Sequence, residues 1–285
     1  MTTTKQQNEK VWFVTGASKG LGADLVQRLL AEGYKVAATS RKKQSMVDLI
    51  GEHENFLPLT MDVTSNHDVK KAIDQVVDKF GSIDIVVNNA GYSQIGAIEE
   101  LTDAEVKNNF NVNVFGPLNV IRNAAPYLRK QRAGHIFNIA SIGGFVGDFA
   151  AFGIYCSTKF AMAGYTEALA VEMQPFGVHT TLVYPGYFRT TFLDKDSVMV
   201  PASPIEAYAN AREVEAQHLK EINGNQPNDP KKAAEVFIEL SKQETPPVHF
   251  FMGIDAAALV NSKVRTIELA LANNLKLTES TAITE

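Results

Sequence analysis

The chain has 285 residues, 45% hydrophobic and 21% charged, with a net charge of −5, enough for a substantial core. No Lys/Arg block is dense enough for a nucleic-acid surface, and no run reaches the roughly 18 apolar residues of a membrane span. Its single cysteine, Cys156, excludes an internal disulfide and fits a reducing, cytoplasmic setting, and the polar N-terminus lacks an apolar signal core.

From residue 11 onward short apolar runs alternate with amphipathic stretches. Segments 11–16, 35–40, 56–63, 83–91, 135–141 and 178–186 read as strands buried on both faces, because they lack polar alternation. Leu21, Leu25 and Leu29 predict the helix after the first strand, ended by Gly33. Pro58 in the third strand points to a sheet edge, where its missing donor is tolerated. Thr102 with Glu105 forms a capping box opening another helix, and a long helix covers 153–176. A further helix is expected around Pro204–Ile222, and one starts at Asp229 and Pro230. Segment 248–254 reads as a last strand, with Asp255 capping a final helix to about Asn274. This rhythm predicts an α/β fold, a doubly wound parallel sheet (Rossmann fold) in one domain over 10–275. Within it, 187–229 is expected to form a helical lid, with 1–9 disordered and 276–285 frayed.

The first strand runs into Thr15-Gly16-Ala17-Ser18-Lys19-Gly20-Leu21-Gly22 and then a helix, the arrangement that holds a pyrophosphate on helix N–H groups. A ribose 2′-OH calls for an acid at the end of the second strand, whereas a 2′-phosphate calls for a cation. That strand ends Ser40-Arg41, with Lys19 in the neighbouring loop, which favours NADP(H). The alternative is that Arg41-Lys42-Lys43 is a solvated charge run opening a helix.

Tyr155 and Lys159 lie one helical turn apart on a shared face, where a fixed ammonium would favour the phenolate. With TGASKGLG at 15–22, Asp62-Val63, Asn88-Asn89-Ala90-Gly91, Asn113, Ser141, Pro185-Gly186 and Thr190 in order, the chain resembles the short-chain dehydrogenase/reductase family. The resemblance spans most of residues 10–192. It implies an NADP-dependent ketoreductase (carbonyl reductase) in which Tyr155 exchanges a proton with the substrate oxygen, Ser141 hydrogen-bonds that oxygen, and Lys159 binds the nicotinamide ribose. Asn113 would hold a water linking Lys159 to solvent. Gly16, Ser18, Lys19, Gly20, Leu21 and Gly22 would cradle the phosphates, with Ser40 and Arg41 at the 2′-phosphate. Asp62 and Val63 would flank the adenine; Asn89, Ala90 and Gly91 the adenosine ribose; Pro185, Gly186 and Thr190 the nicotinamide. Ala140 stands where the family commonly has a second serine.

Phe145, Phe149, Phe152, Tyr187, Phe188 and Phe192, with Val198 and Met199, suggest an apolar pocket for a small hydrophobic carbonyl or alcohol substrate. The C-terminal stretch is similar to the hydroxysteroid- and retinol-dehydrogenase-like branch. Cys156 points about a quarter-turn around the helix and reads as packing, and the six histidines show no metal spacing. Two rival readings remain at this point: an NADP-binding redox sensor without turnover, and a dehydratase or epimerase on the same fold. The sequence leaves the choice between monomer and homo-oligomer open.

Overall fold

A computed structural model describes residues 9–194 and 197–283. The tail expected to be disordered therefore lies, over residues 1–8, outside the described residues.

The strands are β1 (Val11–Thr15), β2 (Lys35–Ser40), β3 (Phe56–Thr60), β4 (Ile85–Asn88), β5 (Ser93–Gln94), β6 (Gly134–Ile139), β7 (Val178–Pro185), β8 (Val198–Met199) and β9 (His249–Met252). Seven of them form one sheet in the order β3-β2-β1-β4-β6-β7-β9, all pairs parallel. The result is the Rossmann-type doubly wound sheet expected from the alternating pattern, in a single domain. Pro58 pairs with Ala38 on the edge strand β3, where only one side must be hydrogen-bonded.

Both faces of the sheet are covered, so β1 reads VWFVT and is buried at every position. Trp12 and Val14 pack with Leu25 and Leu29 of α1 (Gly20–Ala31) and Phe237 of α8 (Pro230–Lys242). Val11 and Phe13 face the other way, against Ile73 of α3 (Asn66–Phe80) and Val120 and Leu128 of α5 (Gly116–Gln131). The capping box forms as read: Thr102 Oγ1 accepts from Glu105 N and Glu105 Oε2 from Thr102 N, opening α4 (Asp103–Phe110). Asp229 likewise caps α8, its Oδ1 accepting from Lys231 N at 2.8 Å.

Three boundary expectations are corrected. The lid helix α7 spans Ala209–Ala216, continued by a π-helical turn Gln217–Ile222, and does not begin at Pro204. The Ile205 amide instead donates to Glu100 Oε1 at 2.7 Å, drawing that stretch away from helical pairing. The final helix α9 runs Ile254–Glu279, so residues 276–279 are helical where fraying was expected, although every residue from Val264 to Ile283 is exposed, and 284–285 lie outside the described residues. Asp255 does not cap it; Gly253 holds that position, and the Asp255 carboxylate reaches back to the loop after β7. The β5–β8 ladder, joining the end of β4 to the lid, was not foreseen.

Candidate active site

A cavity of about 810 Å³ opens at the carboxyl ends of the strands, bounded by the β1–α1 loop, the first turn of α6 (Gly153–Met173) and the lid. Gly16, Ser18, Lys19, Gly20 and Leu21 line it. Gly16 has φ +68°, and a Cβ there would lie 2.7 Å from Ala90 Cα, so the loop packs backbone against backbone. Lys19 precedes α1 without a side-chain cap, and no acid occupies the first turn. The helix therefore presents uncompensated donors and its positive end, which suits a phosphate. Gly22 does not line the cavity; its hydrogen makes room for Asn89, whose Nδ2 would meet a Cβ at 2.5 Å. Asn89 Nδ2 donates to Thr15 O and Gly16 O at 2.9 and 3.0 Å, so its donors clamp the loop, and the residue also lines the cavity.

At the outer rim Arg41 is exposed and no carboxylate closes the β2 end. Ser40 lines the cavity, but its hydroxyl donates to Lys42 O at 2.8 Å and accepts from Lys42 N at 3.2 Å. Ser40 therefore shapes the turn and does not offer a free donor to a phosphate, correcting its expected role. Asp62 and Val63 line the same end, the Asp62 carboxylate holding Thr64 N at 2.9 Å. Thr39 and Met61 also line this space and were missed, because nothing in the local sequence distinguishes a buried residue beside a cavity from one in the core.

Ser141, Tyr155 and Lys159 meet at the cavity's centre. Ser141 follows β6 and caps a short turn, Oγ accepting from Gly143 N at 3.1 Å, which leaves its proton free to donate. Lys159 Nζ donates to Ile139 O at 2.8 Å and lies 5.8 Å from the centroid of the Tyr155 ring. Asn113 sits in a π-helical turn, Asn111–Phe115, between α4 and α5. Its Nδ2 donates to Tyr92 O and Thr158 Oγ1 at 2.9 and 3.1 Å, and its Oδ1 accepts from Tyr92 N. A Cβ on Gly91 would lie 3.1 Å from Asn113 Oδ1 and 3.7 Å from Lys159 Nζ, so these three groups converge. Asn113 does not itself line the cavity.

The electrostatics qualify the expected phenolate. Burial raises the Tyr155 phenol well above its ordinary value, outweighing a lowering hydrogen bond from Ser141. Burial also lowers Lys159 to about 7, and no carboxylate among the described residues offsets it. The protein alone thus keeps Tyr155 protonated, ready to donate.

On the far side Phe149, Phe152, Tyr187, Phe188 and Phe192 line the cavity as expected, together with Met199. Phe145 does not. Its ring packs edge-on against Tyr184 and Phe251 at 6.0 and 5.2 Å, filling core under β7 and β9. Cys156, read as packing, reaches the cavity wall, where burial raises its thiol to about 12 and leaves it unreactive. Tyr92, Gln94, Ile142, Gly143, Val200 and His218 also line the wall and were missed. Pro185, Gly186 and Thr190 close the bottom. The lid is tied down by Glu100, which accepts from Arg212 Nη2, Ala97 N and Ile205 N, and by Asp255, which accepts from Tyr187 N and Asn228 Nδ2 at 2.6 Å each. A Cβ on Gly186 would collide with that Asp255 carboxylate.

A family model described as short chain dehydrogenase matches residues 10–199. A 3-ketodihydrosphingosine reductase of Bacteroides thetaiotaomicron is 35% identical over 246 residues, covering 86% of this chain and 88% of its own. A crystal structure of a short-chain dehydrogenase from Streptomyces avermitilis superposes with a TM-score of 0.89 at 32% identity, covering 96% of this chain and 99% of that one. The structure of ElxO with NADP bound superposes with a TM-score of 0.70 at 27% identity, over 85% and 96% of the two chains. The chain belongs to the short chain dehydrogenase family.

Proposed function

We propose that this short chain dehydrogenase is an NADP(H)-dependent oxidoreductase that interconverts hydrophobic ketones or aldehydes with their alcohols. The observation that carries the reading is that Ser141, Tyr155 and Lys159 stand in one cavity between a phosphate-type loop and an aromatic wall. The relative named 3-ketodihydrosphingosine reductase supports a keto substrate, and NADP in ElxO supports the cofactor.

The cradle suits a dinucleotide: Gly16 and Gly20 allow close backbone approach, and the uncapped start of α1 offers its amides. Lys19 and Arg41 supply the cations a 2′-phosphate requires, and Lys159 stands where a nicotinamide ribose would be held. When bound, the reduced cofactor supplies the hydride.

The rest falls to the protein. Ser141 Oγ, already accepting from Gly143 N, donates its proton to the substrate oxygen and orients the carbonyl. Tyr155, held protonated by burial, delivers the proton to that oxygen and removes it in the reverse direction. Lys159, anchored on Ile139 O and with no carboxylate partner among the described residues, compensates the phenolate left behind. Asn113 and Gly91 keep the space beside Lys159 polar and open, and Phe149, Phe152 and Phe192 exclude water.

The test is the oxidation of NADPH by the purified protein with an aryl ketone. Tyr155→Phe should lower kcat about a hundredfold or more, the usual scale of a positioned proton donor. Unchanged turnover in that variant would overturn the mechanism.

A further inference from the structure

The aromatic wall carries one polar pair that the proton-transfer chemistry leaves unused. Tyr187, directly after Gly186, lines the cavity, and its Oη lies 2.8 Å from His218 Nε2. His218 comes from the π-helical turn Gln217–Ile222, is 5% exposed, and packs tilted against the Phe152 ring at 4.5 Å. Its other nitrogen, Nδ1, lies 2.8 Å from Val214 O.

These contacts fix where the protons are. A carbonyl oxygen only accepts, so Nδ1 must carry a proton for Val214. Burial disfavours a second proton on this imidazole, so Nε2 is bare and accepts. The Tyr187 hydroxyl therefore donates to His218, and its proton is committed inside the wall. What remains on the phenol oxygen is lone-pair capacity. Tyr155 and Tyr187 line the same cavity, and Phe152 bridges the two sides, its ring 6.4 Å from that of Tyr155 and 4.5 Å from that of His218, which sets this acceptor in the wall that faces the reacting oxygen.

We propose that Tyr187, held acceptor-only by His218, selects substrates carrying a hydroxyl or N–H donor beside the carbonyl. Ser141 and Tyr155 are donors toward the carbonyl oxygen, so a substrate presenting an acceptor and then a donor meets complementary groups in that order. A ketone with only alkyl or ether substituents leaves the Tyr187 oxygen desolvated and unpaired, and a buried unpaired acceptor is where discrimination is strong. This inference rests on the carbonyl-reductase reading and narrows its substrate class.

The experiment compares α-hydroxyacetophenone with α-methoxyacetophenone, similar in bulk but different in the donor. In the unaltered enzyme with NADPH, kcat/KM should favour the hydroxy ketone about tenfold or more, the scale of one hydrogen bond. In Tyr187→Phe the ratio should fall to near one. A ratio within a single variant is insensitive to how much of it folds. His218→Phe, which frees the Tyr187 proton to turn into the cavity, should also collapse the ratio. A wild-type ratio near one, or a tenfold preference surviving in both variants, overturns the proposal and leaves carbonyl reduction standing. Failure of the unaltered enzyme to reduce either ketone overturns the functional reading, and this inference with it.

Discussion

The loop from Thr15 to Gly22 and the segment from Tyr187 to Ile222 face each other across one cavity, yet they are held by different means. The loop is fixed by its neighbours in the sheet. Thr15 Oγ1 accepts from Asn89 N and Ala90 N at 3.0 and 3.1 Å, and Gly16 lies against Ala90 at a separation no side chain would permit. Apart from the two-residue β5–β8 ladder, the lid is fixed by a few carboxylates reaching over long sequence distances. Glu100 holds Ile205 and Arg212, and Asp255 holds Tyr187 and Asn228. The nucleotide side thus follows from the fold itself, whereas the substrate side can be rebuilt by moving a tether while the sheet stays intact.

The largest expected effect tests that separation. Glu100 has no exposed side-chain surface, so Glu100→Ala leaves two amides and Arg212 Nη2 without their acceptor, while Arg212 Nη1 keeps Glu215 Oε2 at 2.7 Å. The cost should be about 3 kcal/mol, at the lower end for breaking a buried pair because Arg212 is partly hydrated. Hydrogen exchange should locate the loss. Amides over 205–222 should exchange faster while those of β1 and β4 keep their protection. Uniform acceleration across both would mean that lid and sheet open as one unit, and the contrast would not hold.

A second effect probes the junction between the two regions. The unfolded lysine titrates near 10.5, whereas burial lowers Lys159 to about 7. Between these values the unfolded chain binds more protons, so stability should rise with pH across that window. The destabilisation is fully present below about 7 and fades towards 10.5. Lys159→Met should flatten this dependence and stabilise the protein near neutrality by about 2 kcal/mol, after losing the hydrogen bond to Ile139 O, while turnover disappears. Thermal melts against pH provide the check; parallel profiles for the two proteins would refute a buried, uncompensated ammonium.

The same contrast explains what could be read from the residues alone. The sheet was legible because two-sided burial writes continuous apolar strands, and Pro58 could be assigned to an edge by its missing donor. The phosphate loop was legible because its glycines answer a local need for turn and approach. Ser141, Tyr155 and Lys159 needed only one strand end and one helical turn to come together. The lid was not legible in this way. His218 pairs with Tyr187 across 31 residues, and Asp255 with Tyr187 across 68, so nothing near either residue announces the contact. Phe145 and Phe149 look alike in the sequence, yet one fills core beside Phe251 and the other lines the cavity. For Tyr155 the lysine neighbour was visible, whereas the desolvation that raises its phenol depends on the whole assembled wall.

The smallest effect concerns the outer rim, where the nucleotide side stops being dictated by backbone packing. With the Ser40 hydroxyl committed to Lys42, the proposed NADP(H) preference should rest on Arg41, helped by Lys19 in the facing loop. Arg41 is exposed, so one charge-assisted contact there should count for about 1.4 kcal/mol, or tenfold. Arg41→Asp removes the cation and places at the end of β2 the carboxylate that a ribose hydroxyl prefers. The ratio of kcat/KM for NADPH over NADH should move towards NADH by about tenfold, and the wild-type preference should weaken with salt because the contact is solvated. Because the change touches no residue of the lid, discrimination between hydroxy and methoxy ketones should stay as it was. An unmoved cofactor ratio would shift the selection inward to Lys19 and the start of α1, making cofactor choice as much a property of the packed loop as phosphate binding is.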